Sequence, residues 1–260
     1  MNANTLLIIE DSPVQAKIIA KQFETVTGFD LLIAHSLEEA RSLSETHRDD
    51  IFAAVADLNL PDAPDGEAVD MCLENKVPCI VLAASFDEKL RHKFIEKRVA
   101  DYFLKGSIND LDPLITSVER LKANYKVKAL VVDDSGTQRN IVRRMLEVQC
   151  IQSLEAVDGI AALEVLEANQ DISLVITDFQ MPRMDGIQLV QEIRGKYKVN
   201  RLAVIGLSSA GSGPLTAQFL KYGANDFLTK PFEVEEFYWR VNQTLNILDV
   251  MAELKKLRRS

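Results

Sequence analysis

Short apolar runs alternate along the whole chain with longer stretches in which apolar residues recur at every third or fourth position. In the first half the runs are Leu6–Glu10, Asp30–Ala34, Ala53–Asp57, Cys79–Ala83 and Tyr102–Leu104. In the second half they are Ala129–Asp133, Ser153–Ala156, Leu174–Asp178, Leu202–Leu207 and Asp226–Leu228. Most are continuous rather than alternating, the pattern of strands covered on both faces of a parallel sheet. Between them Val14–Thr25, Leu37–Thr46, Thr137–Gln149 and Ile160–Ala168 carry helical periodicity. A final helix is predicted from Val234 to about Arg258, where Ile247, Val250, Leu254 and Leu257 follow heptad-like spacing.

The two halves repeat one another. Leu6-Leu-Ile-Ile-Glu-Asp-Ser12 returns as Leu130-Val-Val-Asp-Asp-Ser135, and Ala54-Val-Ala-Asp-Leu-Asn-Leu-Pro61 as Leu174-Val-Ile-Thr-Asp-Phe-Gln-Met-Pro182. Asp101-Tyr-Phe-Leu-Lys105 returns as Asp226-Phe-Leu-Thr-Lys230. A period near 120 residues is a whole domain, so this is a tandem duplication. Five strand–helix units per copy predict an α/β architecture of two flavodoxin-like (βα)5 doubly wound parallel-sheet domains, followed by an extended C-terminal helix. The expected divisions are 1–124, 125–248 and a helical extension 249–260, with Leu121–Lys126 as a polar linker continuous with the first copy's last helix.

Composition narrows the class. A chain of 260 residues that is 47% hydrophobic folds, and no apolar run approaches the roughly 18 residues of a membrane span. The N-terminus lacks a basic segment ahead of its apolar run, so no secretory signal is read there. Cys72, Cys79 and Cys150 are too few and scattered for a disulfide framework or zinc site and are expected to pack as small hydrophobes. Together these predict a cytoplasmic protein without a membrane partner. The net charge of −9 lies entirely in residues 1–125, with 13 basic against 22 acidic residues, while 126–260 balances at 17 each. Nucleic-acid binding, which needs clustered cations, is not expected.

In doubly wound sheets ligands sit outside the carboxyl ends of the strands. There the first copy offers Glu10, Asp11, Asp57 and Lys105, and the second Asp133, Asp134, Asp178, Ser208 and Lys230. Crowded carboxylates raise one another's pKa unless a cation offsets them, and a hard divalent ion such as Mg²⁺ suits oxygen ligands. The lysine suits a phosphate oxygen, and one carboxylate can serve as a nucleophile that becomes an acyl phosphate. Relief of this crowding predicts that Asp178→Asn stabilises the metal-free fold. By pattern alone Tyr102, Phe227 and Trp239 read as core, and His35, His47 and His92 show no ligand spacing.

The ordered set resembles two receiver domains of two-component response regulators, over about 2–122 and 127–248. The second copy carries every motif: Asp133-Asp134, Asp178 followed by Met181-Pro182 and Met184-Asp-Gly186, Ser208, and Lys230-Pro231. The resemblance implies that Asp178 accepts phosphate from a sensor histidine kinase or phosphotransfer protein. It further implies that Asp133, Asp134, Asp178 and the Gln180 carbonyl form the Mg²⁺ site, that Ser208 and Lys230 contact the phosphoryl group, and that Phe227 is the aromatic switch. The first copy supplies Glu10, Asp11, Asp57 and Asn59 for the metal, Lys105 for the phosphoryl group and Tyr102 at the switch position. It departs from the pattern at Ala83, where a hydroxyl residue normally ends the fourth strand (Ser85 stands two residues on), and at Gly106, where proline normally follows the lysine.

Leu60-Pro-Asp-Ala-Pro-Asp-Gly-Glu67, Ile205-Gly-Leu-Ser208 and Gly223-Ala-Asn-Asp-Phe-Leu-Thr-Lys-Pro-Phe232 are similar to the receiver pair preceding GGDEF-type diguanylate cyclase domains, although no GG-[DE]-[DE]-F motif occurs in these residues. No independent enzyme activity is expected beyond self-phosphorylation and dephosphorylation. The C-terminal helix is expected to reach an effector domain or a dimer partner. The alternatives are the regulatory part of a diguanylate cyclase and a pseudo-receiver interaction module. A haloacid dehalogenase-type phosphatase needs a second acid two residues beyond its nucleophile, where this chain has Asn59 and Gln180.

Overall fold

A computed structural model describes residues 3–85, 87–105, 111–209 and 213–258. The chain divides into two compact units, Met1–Tyr125 with Val148–Cys150, and Lys126–Glu147 with Ile151–Ser260.

The first unit runs β1 (Thr5–Ile9), α1 (Pro13–Val26), β2 (Asp30–Ala34), α2 (Leu37–Thr46), β3 (Ile51–Asp57), α3 (Glu67–Glu74), β4 (Cys79–Ala83), α4 (Glu88–Glu96), β5 (Asp101–Leu104) and α5 (Asp112–Asn124). Its strands form one parallel sheet in the order β2-β1-β3-β4-β5. β1, β3 and β4 are buried at every position, while the edge strands β2 and β5 are partly open. Side chains alternate between two cores: Leu7, Ile9, Ala54 and Ala56 pack on one face, Leu6, Ile8, Ala53 and Val55 on the other. A strand sandwiched in this way needs apolar residues at both parities, which explains the uninterrupted runs in the sequence.

The second unit repeats the plan with β6 (Lys128–Val132), α6 (Gly136–Val148), β7 (Gln152–Ala156), α7 (Gly159–Ala168), β8 (Leu174–Asp178), α8 (Gly186–Lys196), β9 (Ala203–Ser208), α9 (Gly213–Lys221), β10 (Asp226–Thr229) and α10 (Val234–Leu257). The parallel order β7-β6-β8-β9-β10 is the same as in the first sheet. Both units are thus flavodoxin-like. In each, the strand order reverses beside the first strand, so the carboxyl ends of β1 and β3, and of β6 and β8, flank a crevice.

Local chemistry sets where the helices begin. Ser12 and Ser36 cap α1 and α2 by accepting hydrogen bonds from the Gln15 and Glu39 backbone N–H groups, and Pro13 stands where a helix needs no donor. Asp185 and Gln188 form a reciprocal capping box that starts α8. Gly66, with φ of 84°, begins α3 in a left-handed conformation, and a Cβ there would also overlap the Phe94 ring.

Leu121–Asn124 is the last turn of α5, and Leu121 and Asn124 are buried. Trp239 is not core but 63% exposed. On α10 the buried seam is Phe237, Tyr238, Val241, Leu245 and Leu248, and Trp239 falls on the opposite side of the helix. Cys72 and Cys79 are fully buried in one core, and Cys150, partly buried, packs against another, as small hydrophobes do. Beyond Leu248, Ile247's successors Val250, Leu254 and Leu257 are exposed, as is Ile247 itself. Among the described residues no helix is long and apolar enough to cross a membrane.

Candidate functional site

In the second unit Asp133 follows β6 directly, Asp178 ends β8, Ser208 ends β9 and Lys230 follows β10. Parallel strands bring these four ends to one edge although the sequence separates them widely. Lys230 Nζ lies between two carboxylates, donating to Asp178 Oδ1 at 2.6 Å and Asp133 Oδ2 at 2.9 Å. The remaining oxygens are held by backbone: Gln180 N–H donates to Asp178 Oδ2 at 2.8 Å, and Ser135 N–H to Asp133 Oδ1 at 2.9 Å. Burial pulls the Lys230 pKa down, but the hydrogen bonds and charges of Asp178 and Asp133 outweigh it and leave the ammonium above its ordinary value. Ser208 is buried, and the Lys230–Pro231 bond is cis.

The first unit builds the same arrangement with one longer side chain. Lys105 Nζ donates to Glu10 Oε2 and Asp57 Oδ2, both at 2.6 Å, and both acids are buried. Ligand oxygens of Glu10, Asp11 and Asp57 all lie within 4.8 Å of one another, the oxygen-rich, acidic donor set that a hard divalent cation takes. Among the described residues this approach of three acids is found only here. In the second unit Asp134 is exposed, so Asp133 and Asp178 share the lysine while Asp134 points to solvent. The expected crowding is therefore already offset by a lysine in each unit. For Asp178→Asn the relief of repulsion competes with loss of the Lys230 ion pair, and the expected stabilisation no longer follows from charge alone.

Glu10 is the exception. Desolvation raises its pKa and the nearby Asp57 charge adds to this, outweighing the Lys105 hydrogen bond that opposes them. A carboxyl raised above 4.5 binds more protons folded than unfolded, so the metal-free first unit should gain stability as pH falls from neutrality toward 4.5. Lys105 has the complementary effect: its raised pKa stabilises the fold below 10.5, and that contribution is lost as pH rises through the folded value. Urea midpoints in EDTA, read by pulse-labelling the β1 and β3 amides, should show both limbs. Glu10→Gln should flatten the acid limb, and an unchanged acid limb would assign it to another group.

The strand-four position differs between the units. Ala83 closes β4 buried and without a hydroxyl, and Ser85 is exposed. Tyr102 is half-buried, and its hydroxyl has no hydrogen-bond partner among the described residues. Phe227, by contrast, is buried and packs at 5.4 Å between ring centroids on Phe219, which in turn meets Phe179 at 6.0 Å. This run of rings joins the residue after Asp178 to Phe227. Sequence reading missed Phe219, whose only signal was an apolar position on α9. Gly206 makes room for it, since a Cβ there would come within 2.7 Å of Phe219 and 3.0 Å of Phe227. Gly106 lies outside the described residues.

Sequence reading also missed how the loop after each central aspartate is tied down. Asp62 accepts hydrogen bonds from the Leu37 and Glu38 N–H groups at the start of α2, at 3.0 and 3.2 Å, and those bonds hold its carboxyl below the usual range. In the second unit Arg183, at φ 64°, pairs with Asp158, the N-cap of α7. Opposite chemistries anchor equivalent loops to equivalent helix starts.

This fold and edge define a receiver-type α/β domain. The response regulator receiver domain family matches residues 129–242. The chain is 36% identical over 107 residues to a chemotaxis protein CheY homolog of Campylobacter jejuni, covering 41% of this chain and 82% of that protein. It is 37% identical over 107 residues to chemotaxis protein CheY1 of Helicobacter pylori, covering 41% of this chain and 86% of that one. A solved two-component system response regulator/GGDEF domain protein superposes with a TM-score of 0.86 at 39% identity, over 95% of this chain and 99% of that one. A second such structure gives 0.85 at 38%, with the same coverage. The chain belongs to the response regulator receiver family, with two flavodoxin-like units in tandem.

Proposed function

We propose that this chain is a phosphoacceptor of two-component signalling in which Asp178 takes a phosphoryl group from a histidine kinase or phosphotransfer protein. The observation that carries the proposal is the Lys230 ammonium held between Asp178 and Asp133 at the carboxyl edge of the sheet. Asp133, Asp134, Asp178 and the Gln180 carbonyl would hold Mg²⁺, which when bound neutralises charge on an incoming phosphoryl group. The backbone bond from Gln180 leaves one oxygen of Asp178 to face that group, and Lys230 places a fixed positive charge beside it. Attack by the carboxylate forms an acyl phosphate as the donor's bond to phosphorus breaks. Ser208 would then contact the phosphoryl group and Phe227 respond through its packing on Phe219.

Asp57 is read as a secondary acceptor, with Glu10, Asp11, Asp57 and Asn59 as its metal set, Lys105 as its cation and Tyr102 at the switch position. The missing hydroxyl at Ala83 makes the first unit the slower or adaptor unit. Output through α10 to an effector or partner agrees with the exposed residues along its last turns. The likeness over nearly the whole chain to response regulator/GGDEF domain proteins favours a second reading of that output, as the regulatory part of a diguanylate cyclase. Intact-mass analysis after acetyl phosphate and Mg²⁺ tests the proposal on wild type, Asp57→Asn and Asp178→Asn. One phosphoryl group lost only with Asp178→Asn is expected, with a second, substoichiometric group lost with Asp57→Asn. No addition to any of the three overturns it in favour of a pseudo-receiver pair.

A further inference from the structure

The second unit carries a basic cleft at the end of its sheet opposite Asp178. Its walls are the α8–β9 connection, with Lys196, Tyr197, Lys198 and Arg201, and the last turns of α10, with Lys255 and Lys256. The cleft is an open concavity of about 470 Å³. Two of its cations are engaged: Lys196 pairs with Glu167 at 2.5 Å, and Arg201 donates to the Ile172 and Gln170 carbonyls. Lys198, Lys255 and Lys256 have no acidic partner among the described residues.

Helix dipoles account for part of this clustering, because α8 ends at Lys196 and α10 at Leu257, and cations are favoured at carboxyl ends. They do not account for Lys198, which lies outside any helix, nor for the convergence of three unpaired ammonium groups on one concavity. Each is a compact, exposed point charge with three donors, and a ligand that brings several negative charges into a small volume can engage all three at once. A chain of linked phosphates does so, whereas a single carboxylate does not. The half-buried ring of Tyr197 adds a flat apolar wall beside the charges.

We propose that this cleft binds a small polyphosphate of the nucleoside di- or triphosphate class, with Lys198, Lys255 and Lys256 on the phosphates and Tyr197 beside the base. Because Lys198 belongs to the domain body and Lys255 and Lys256 to the end of α10, the bound anion would tether the output helix to the body. The proposal is independent of phosphorylation at Asp178.

Calorimetric titration of the full chain in EDTA, with inorganic tripolyphosphate, orthophosphate and ATP as probes, tests it. Tripolyphosphate should bind at one site per chain at least about tenfold more tightly than orthophosphate, and ATP at least as tightly as tripolyphosphate. Binding should weaken with added salt. Combined Lys198→Gln, Lys255→Gln and Lys256→Gln should cost roughly tenfold or more, and Lys198→Gln alone a measurable part of that. Asp178→Asn should leave affinity unchanged, which separates this cleft from the acceptor site. Unaltered binding in the triple variant, loss in Asp178→Asn, or no saturable binding would overturn the proposal. Sedimentation with phosphatidylglycerol vesicles that requires these lysines, without tripolyphosphate binding, would also overturn it by reassigning the cations to a lipid surface.

Discussion

Lys230→Met should reduce phosphoryl transfer to Asp178 by roughly 100-fold or more, the scale on which a positioned charge acts in such a site. The wild-type ammonium lies 2.6 Å from Asp178 and 2.9 Å from Asp133, so its removal leaves two carboxylates facing one another without a cation. At an effective dielectric near 20, a pair of like charges about 4 Å apart costs on the order of 4 kcal/mol. Asp178 would meet that cost in part by protonation, and a protonated carboxyl is a poor nucleophile. Because the Lys230 pKa is raised, the wild-type lysine is charged throughout the neutral range. The wild-type rate should therefore show no lysine titration there. Lys230→Arg should fall between the two, since its larger planar fork keeps the charge but not the single point between two oxygens. Time-resolved intact mass with acetyl phosphate and Mg²⁺ reads all three. A Lys230→Met rate within threefold of wild type would remove the lysine from the chemistry.

Gly186→Ala should be the most damaging single-methyl change in the second unit, costing about 3 kcal/mol or more. A Cβ at this position would overlap the backbone carbonyl oxygen of Asp178 and come within 3.0 Å of Phe219. The obstacle is backbone of a central strand, which cannot rotate away as a flexible side chain can. Gly186 also donates its N–H to the Phe179 carbonyl at 2.9 Å, so the same residue holds the turn after Asp178 closed. Both stability and the orientation of Asp178 should suffer, seen as a lower thermal midpoint and slower phosphoryl uptake. Gly195→Ala, where the new methyl would meet nothing within 4 Å, is the control and should be neutral or slightly stabilising in its helix. Equal midpoints for the two variants would show that the strand end can shift.

Much of this protein is written in local pattern. Runs such as Leu6–Ile9 and Leu130–Val132 have no polar face, and a strand without one has to be covered twice. The duplication was legible because motifs recur in the same order, and that order assigned Asp57, Asp178, Lys105 and Lys230 to strand ends before any geometry was known. Helices were readable from their periodicity, as over Leu37–Thr46 and Ile160–Ala168.

What depended on long-range packing was not legible. Trp239 and Phe237 are both aromatic and two positions apart on one helix, yet one is exposed and the other buried, because only the docked orientation of α10 selects the inward face. The rings of Phe179, Phe219 and Phe227 come from three elements and meet only after the sheet forms. The two acidic clusters read alike along the chain, yet Asp11 gathers with Glu10 and Asp57 while Asp134 turns to solvent. The basic cleft joins residues some 55 positions apart that share no motif. The sequence by itself determined the strands, the duplication and the residue types at each strand end, since these follow from short-range periodicity and order. Only the tertiary structure decided which charges meet, which aromatics are buried and how each lysine compensates its acids, because those are set by distances between segments remote in the chain.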